Sequence, residues 1–239
     1  MDLVGRRIND PHILKLIRGW LEAGVMEDGE FIENNGLGSP QGGVISPLLS
    51  NIYLHSFDKM FELSGIRGTL VRYADDFVIL LRGGGIGVLK QVEGMLRKLG
   101  LKIHPGKTRV VDTAKGFDFL GMHFRLRPVR KKDSKLKIFC QVWPSDRSMN
   151  GIKQKIKRKI GRRYSLSLEE IISDLNPVIR GYRNYHTVMG SAPKRRRRLN
   201  YFVHERLRIF LKRKYSDQTR CYKRTHGNLF VRLGLNQFV

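Results

Sequence analysis

Two adjacent carboxylates, Asp75 and Asp76, sit in the run GTLVRYADDFVILL, between two short apolar stretches. The alternation predicts strands over Thr69–Tyr73 and Phe77–Leu81, joined by a tight turn at Ala74-Asp75-Asp76. Like charges at this range repel each other. A divalent cation removes that cost, and paired oxygen ligands suit Mg²⁺. Phosphoryl transfer on nucleic acids uses two such ions to hold the attacking and leaving oxygens. The same pair also suits an ordinary turn, because Asp bonds its own backbone there. A second run, Ser39-Pro40-Gln41-Gly42-Gly43, leads through VI into a Ser46-Pro47 helix start. Its glycines allow close backbone approach to a ligand, and Gln41 carries both a donor and an acceptor for a base or sugar. A plain loop before a capped helix has the same residues.

The elements that must position these groups follow from periodicity. Pro11–Ala23 is expected as a helix, capped by Asp10 and stopped at Gly24, with Ile13, Leu14, Leu16, Ile17, Trp20 and Leu21 on one face. EDGEFIENNGLG reads as a hairpin or loop with Phe31 and Ile32 as its strand content. A helix runs from Ser46 to about Leu63, and another from Ile86 to Leu99. Short strands are expected at Lys102–His104, Arg109–Asp112, Phe117–Leu120, Met122–Arg125 and Leu136–Val142. From Ser145 the pattern turns helical: a basic helix with Met149, Ile152, Ile156 and Ile160 on its apolar side, expected to pack on the preceding α/β body. Then follow Leu168–Leu175, broken at Asn176-Pro177, a helix carrying VIRGYRNYH, and a last helix over Lys194–Tyr215.

Charge separates two regions. The chain has 239 residues with 46 Lys and Arg against 21 Asp and Glu, a net of +25. Residues 1–124 hold 15 basic and 14 acidic side chains, so almost the whole excess lies beyond them. A near-neutral body followed by a very basic segment predicts a core joined to a polyanion-binding module, with nucleic acid as the polyanion. A boundary near Trp143-Pro144 divides residues 1–143 from 144–239. No apolar run is long enough to span a bilayer, and the N-terminus lacks a signal-peptide core, so no membrane partner is expected. The two cysteines, Cys140 and Cys221, stand outside any metal spacing. They suit a reduced, cytoplasmic setting.

Four ordered motifs carry a family resemblance: SPQGGVISPLLSNIYLHSFD, VRYADDFVIL, LGLKIHPGKTRVV and FDFLG. In order and spacing they resemble reverse transcriptases, and within these the bacterial group II intron-encoded reverse transcriptase/maturase. LNPVIRGYRNYH resembles the maturase domain of that family. The resemblance implies an α+β fold: a partial palm, with a small antiparallel sheet backed by helices, then an all-helical thumb/maturase domain. It implies that Asp75 ligates a catalytic metal with Asp76 beside it, that Tyr73 packs near the primer end, and that Ser39, Pro40, Gln41 and Gly42 line the nucleotide and template pocket. Lys107 would face the leaving pyrophosphate, and is equally readable as an exposed lysine after a turn. Phe119, Leu120 and Gly121 would form the primer grip, and also read as core strand.

The same resemblance implies binding to intron RNA and to template–primer duplex. The cations in position for this are Lys153, Lys155, Lys157, Arg158 and Arg162, then Arg180 and Arg183, then the run Lys194, Arg195, Arg196, Arg197 and Arg198. Tyr182, Tyr185 and His186 lie among the arginines and suit stacking on unpaired bases or, at near-helical spacing, thumb core. The FDxIxH-like motif that supplies another metal aspartate in the family lies before the Pro11–Ala23 helix. Only Asp2 and Asp10 are acidic in this chain before that point, one terminal and one a cap. The chain therefore reads as N-terminally truncated, lacking the fingers and first palm motif, and inactive alone unless a separate N-terminal palm–fingers fragment joins it. It lacks an HNH-type cluster and so reads as no DNA endonuclease. Uncovered sheet edge and apolar surface are expected in the palm. The alternative function is a non-catalytic RNA-binding maturase fragment that assists splicing.

Overall fold

A computed structural model describes residues 1–22, 25–27, 30–32, 43–130, 136–187, 193–215 and 229–239. The chain divides into two compact units, Met1–Val110 and Val111–Val239. The compositional boundary at 143/144 falls inside the second unit.

In the first unit, α1 (Asp2–Gly5) precedes α2 (Pro11–Glu22), whose first amides at His12 and Ile13 donate to Asp10 Oδ1 at 2.8 and 3.2 Å. That cap and the proline in the first turn start the helix as its sequence requires. β1 (Val25–Glu27) and β2 (Glu30–Ile32) form an antiparallel hairpin, in line with the strand content read at Phe31 and Ile32. α3 (Ser46–Leu63) leads into β3 (Gly68–Tyr73) and β4 (Asp76–Leu81), a second antiparallel pair, and then α4 (Gly85–Lys98). The core lies between these helices and one face of the hairpin. Phe57 and Phe61 of α3 and Val92 and Leu96 of α4 are buried with Leu70, Phe77 and Ile79 packed on them. Burying each such side chain stabilises the unit by about 1.5–3 kcal/mol.

Lys102–His104 and Arg109–Asp112 are not strands. The backbone instead turns at Pro105-Gly106, where Lys107 and Thr108 amides both donate to His104 O at 3.1 Å. Proline has no ladder donor, and among the described residues neither segment has a partner strand.

The second unit opens with a three-stranded antiparallel sheet, β5 (Phe117–Phe119), β6 (Met122–Arg130) and β7 (Leu136–Pro144), in that order. Beyond it the described residues are helical: α5 (Asp146–Ile160), α6 (Leu168–Thr187), α7 (Pro193–Tyr215) and the short α8 (Leu229–Arg232). Ser145 caps α5 by accepting from Ser148 N at 3.1 Å. Ser167 and Glu170 form a reciprocal capping box on α6, at 2.7 and 3.1 Å.

The apolar side of α5 (Met149, Ile152, Ile156, Ile160) is buried in one cluster with α6 and α7, not against the α/β body. The reason is that α6 and α7 each present a matching stripe. And α6 is continuous through Pro177. An interior proline costs about 3 kcal/mol. Ile171, Ile172 and Leu175 before it and Ile179 after it form one fully buried stripe, which outweighs that loss. The C-terminal segment closes the cluster with Phe230, Leu235 and Phe238. Asn176 fastens it by donating to Gly234 O and accepting from Asn236 N, both at 2.8 Å.

Candidate nucleic-acid and metal site

The β3–β4 register pairs Tyr73 with Asp76, so Ala74 and Asp75 alone form the turn and Asp76 is the first residue of β4. Ala74 has φ +52° while Asp75 keeps negative φ, the φ pattern of a type II′ hairpin, where glycine is the usual first occupant. A side chain alternates faces along a strand. Leu70, Phe77 and Ile79 face the core, and Arg72 lies on that same face. Tyr73, Asp76, Val71, Val78 and Leu80 therefore share the other face, where Tyr73 is 67% and Leu80 44% exposed. Asp75 and Asp76 are both exposed. The uncovered apolar surface expected in this unit is present here and on α2, where Ile13, Leu16 and Trp20 lie exposed at i, i+3 and i+7.

The turn is held from beneath by a residue that the motif reading passed over. Arg72 donates from Nε and Nη2 to both oxygens of Asp58, at 2.8 and 2.5 Å. Its Nη1 donates to Asn51 Oδ1 and to Ala74 O, each at 2.9 Å. Asn51 and Asp58 are seven apart on α3, so they lie on one helix face. The carboxylate beside it holds the Arg72 guanidinium more firmly protonated than usual. A signal was available in the sequence, an Arg three residues before the first carboxylate, but its partners lie 14 and 21 residues upstream. Among the described residues no group of three His, Cys, Asp or Glu converges on one point. The donor set at the turn is thus two hard carboxylates. This fits one side of a divalent-cation site completed by water or phosphate oxygens.

Ser39, Pro40, Gln41 and Gly42 lie outside the described residues. Lys107 is exposed, in the turn after His104. Phe119, Leu120 and Gly121 come together in the second unit. Phe119 pairs with Met122 around a two-residue Leu120-Gly121 loop, with φ +48° and +74°, the type I′ pattern.

The basic helices divide by face. Lys155, Lys157 and Arg158 are exposed on α5 away from its buried stripe, and Arg162 is exposed in the turn that follows the helix. Lys153 is half-buried with its ammonium 5.8 Å from the Phe202 ring centre. Arg180 is exposed and Arg183 half-buried on α6. Of the five-residue basic run, Lys194, Arg197 and Arg198 are exposed. Arg195 instead ties α7 to the β7–α5 junction, donating to Pro144 O at 3.1 Å and Asp146 Oδ1 at 2.7 Å. Arg196 is only 7% exposed and donates to Thr187 Oγ1 at 3.2 Å. The helix period buries Arg196 and leaves Arg195 half-buried. Tyr182 and His186 also face inward, while Tyr185 is exposed.

Residues 6–124 match the reverse transcriptase (RNA-dependent DNA polymerase) family, and residues 149–227 match the group II intron maturase-specific domain. Protein YkfC of Escherichia coli is 31% identical over 185 residues, covering 63% of this chain and 48% of YkfC. The group II intron-encoded protein LtrA of Lactococcus lactis is 44% identical over 57 residues, covering 24% of this chain and 9% of LtrA. An uncharacterized 91 kDa protein in the cob intron of Schizosaccharomyces pombe is 22% identical over 260 residues, covering 77% of this chain and 32% of that protein. The chain thus spans about half the length of YkfC or less of the others. With a carboxylate turn in the first matched region and a cationic helical face in the second, the chain belongs to the group II intron reverse transcriptase/maturase family.

Proposed function

We propose that this chain contributes the metal-binding turn, the primer grip and the RNA-binding helices of an enzyme that copies RNA into DNA and assists splicing of its intron. The observation that carries this is the pair of exposed carboxylates at a turn locked by Arg72, Asp58 and Asn51. The family depends on a divalent cation; Mg²⁺ is the ion that two hard oxygens with open positions fit best. Asp75 and Asp76 would hold it, and bound there it supplies charge against the attacking and leaving oxygens. Tyr73, sharing a face with Asp76, packs near the primer end. Ser39, Pro40, Gln41 and Gly42 line the nucleotide and template pocket, and Lys107 offsets charge on the departing pyrophosphate. Phe119, Leu120 and Gly121 grip the primer. Lys153, Lys155, Lys157, Arg158, Arg162, Arg180, Arg183, Lys194, Arg197 and Arg198 meet phosphates of intron RNA and template–primer duplex, while Arg195 and Arg196 hold α7 in place behind them. The functional division lies at 143/144, between the two matched regions. No helix of the described residues is long and apolar enough to cross a membrane, and the working location is the cytoplasm.

Two carboxylates are too few for two metal ions. These 239 residues therefore do not polymerise by themselves. A palm–fingers segment, on a longer polypeptide or as a separate fragment, supplies the remaining aspartate. Primer extension on an RNA template with Mg²⁺ tests this, using the chain alone and then mixed with such a fragment. Extension only in the mixture, abolished by Asp75→Ala, is expected. Extension by the chain alone overturns the incompleteness. Silence in both, with tight and salt-sensitive RNA binding, favours the second reading, a non-catalytic maturase fragment. That reading draws its support from the concentration of positive charge beyond residue 124.

A further inference from the structure

The Leu120-Gly121 turn is an expensive piece of backbone. A bulky residue at φ +48° costs about 1–2 kcal/mol in isolation, so something must hold Leu120 there. A side chain of α6 and a backbone amide at the start of α5 do so. Tyr185 Oη donates to Leu120 O at 2.7 Å, and Ser145 N, at the cap of α5, donates to Gly121 O at 2.9 Å. Next to them, His186 is buried, with Nδ1 2.8 Å from Met122 Sδ and Nε2 3.0 Å from Ser148 Oγ. A thioether has no proton, so Nδ1–H is the donor and Nε2 the acceptor. Ser148 then gives its single hydroxyl proton to His186. The ring of Tyr182 lies tilted against that of His186, with centres 4.1 Å apart, and its hydroxyl is 3.3 Å from Ser148 Oγ. One turn of α6 thus fixes the first residue of the bend and the first residue of β6, while the α5 cap fixes Gly121.

We propose that Tyr185 is a positioning residue for primer binding: its hydroxyl sets the Leu120-Gly121 turn, with His186 and Ser148 as its support. This rests on the reading of Phe119, Leu120 and Gly121 as the primer grip. It departs from the base-stacking role that the interleaved aromatics suggest, because the hydroxyl of Tyr185 is bonded to the hairpin and the ring of His186 is buried beside it. Helix α6 also carries exposed Arg180 and half-buried Arg183, so the element that meets RNA is the one that shapes the grip.

The test is fluorescence anisotropy of the full 239-residue chain with two probes: an RNA template annealed to a DNA primer with a recessed 3′ end, and a single-stranded RNA of equal length. Tyr185→Phe removes one hydroxyl and keeps the ring. Recessed-duplex affinity should fall about three- to tenfold, the size of one neutral hydrogen bond. Single-stranded affinity and the slope of log Kd against log salt should stay as in the unaltered chain, because no phosphate contact is lost. Arg183→Ala should lower that slope by about one. Ser148→Ala, which strips the support from His186, should reproduce the selective loss, and thermal melting confirms that each variant is folded. If Tyr185→Phe binds the recessed duplex as the unaltered chain does, or Tyr185→Ala loses single-stranded RNA while Tyr185→Phe loses nothing, the inference is overturned and stacking replaces it. If the unaltered chain shows no preference for the recessed duplex, the primer-grip reading itself fails, and this inference with it.

Discussion

Replacing Arg72 by lysine keeps the charge and discards the fork. In the structure the guanidinium makes four hydrogen bonds, two to Asp58, one to Asn51 and one to the Ala74 carbonyl. An ammonium on a different stem keeps one of these at best. The two neutral-acceptor bonds contribute about 0.5–1.5 kcal/mol each, and the second oxygen of Asp58 about as much again once its partial exposure is allowed for. The side chains of Arg72 and Asp58 are 12% and 26% exposed, well short of the full burial that would bring 3–5 kcal/mol. The expected loss is therefore about 2 kcal/mol, confined to the hairpin and α3. Hydrogen exchange read by mass spectrometry over Gly68–Leu81 measures it directly. A local opening made easier by about 2 kcal/mol lowers amide protection roughly thirtyfold, and α6 serves as the internal reference. Asp58→Asn should cost a similar amount, and the double variant little more than either single change, since both dismantle one interaction. Protection in Arg72→Lys within about threefold of the unaltered chain would refute the reasoning. The turn would then be held by the β3–β4 ladder alone.

Three further outcomes are expected. Ala74→Gly relieves the positive φ at the first turn position and should stabilise the first unit by about 0.5–1 kcal/mol in denaturant titration; a loss of stability would show that Ala74 is not strained. Burial lowers the pKa of both His186 and His204. The unfolded chain then binds more protons than the folded one as pH falls below about 6.5. Stability is complete above that pH and declines through the acid side; His186→Gln should flatten the decline to the share of His204, followed by melting temperature from pH 7.5 to 5.5. Lys155→Ala, Arg158→Ala and Arg162→Ala should each weaken binding of single-stranded RNA and reduce its log–log salt slope by about one half to one, with melting temperature unchanged because all three are exposed.

Much of this protein was determined by its sequence alone, because local rules suffice for it. Asp10 and Pro11 start α2 whatever lies around them. Apolar residues at Met149, Ile152, Ile156 and Ile160 specify one buried helix stripe, and alternation across GTLVRYADDFVILL specifies a hairpin whose tip holds the carboxylates. The motif order that marks the family is likewise a property of the chain. Tertiary structure decided what depends on partners distant in sequence. The strands read at Lys102–His104 and Arg109–Asp112 did not form, since a strand exists only where another pairs with it. Pro177 did not break α6, since the buried stripe continues past it. Arg195 and Arg196 carry the same charge as Arg197 and Arg198, yet rotation about the helix axis buries Arg196, engages Arg195 with Pro144 and Asp146, and leaves the other two in water. The clamp of Arg72 on Asp58 spans 14 residues, and the bond from Tyr185 to Leu120 spans 65. No local pattern announces either, because each is a product of how helices and hairpins settle against one another.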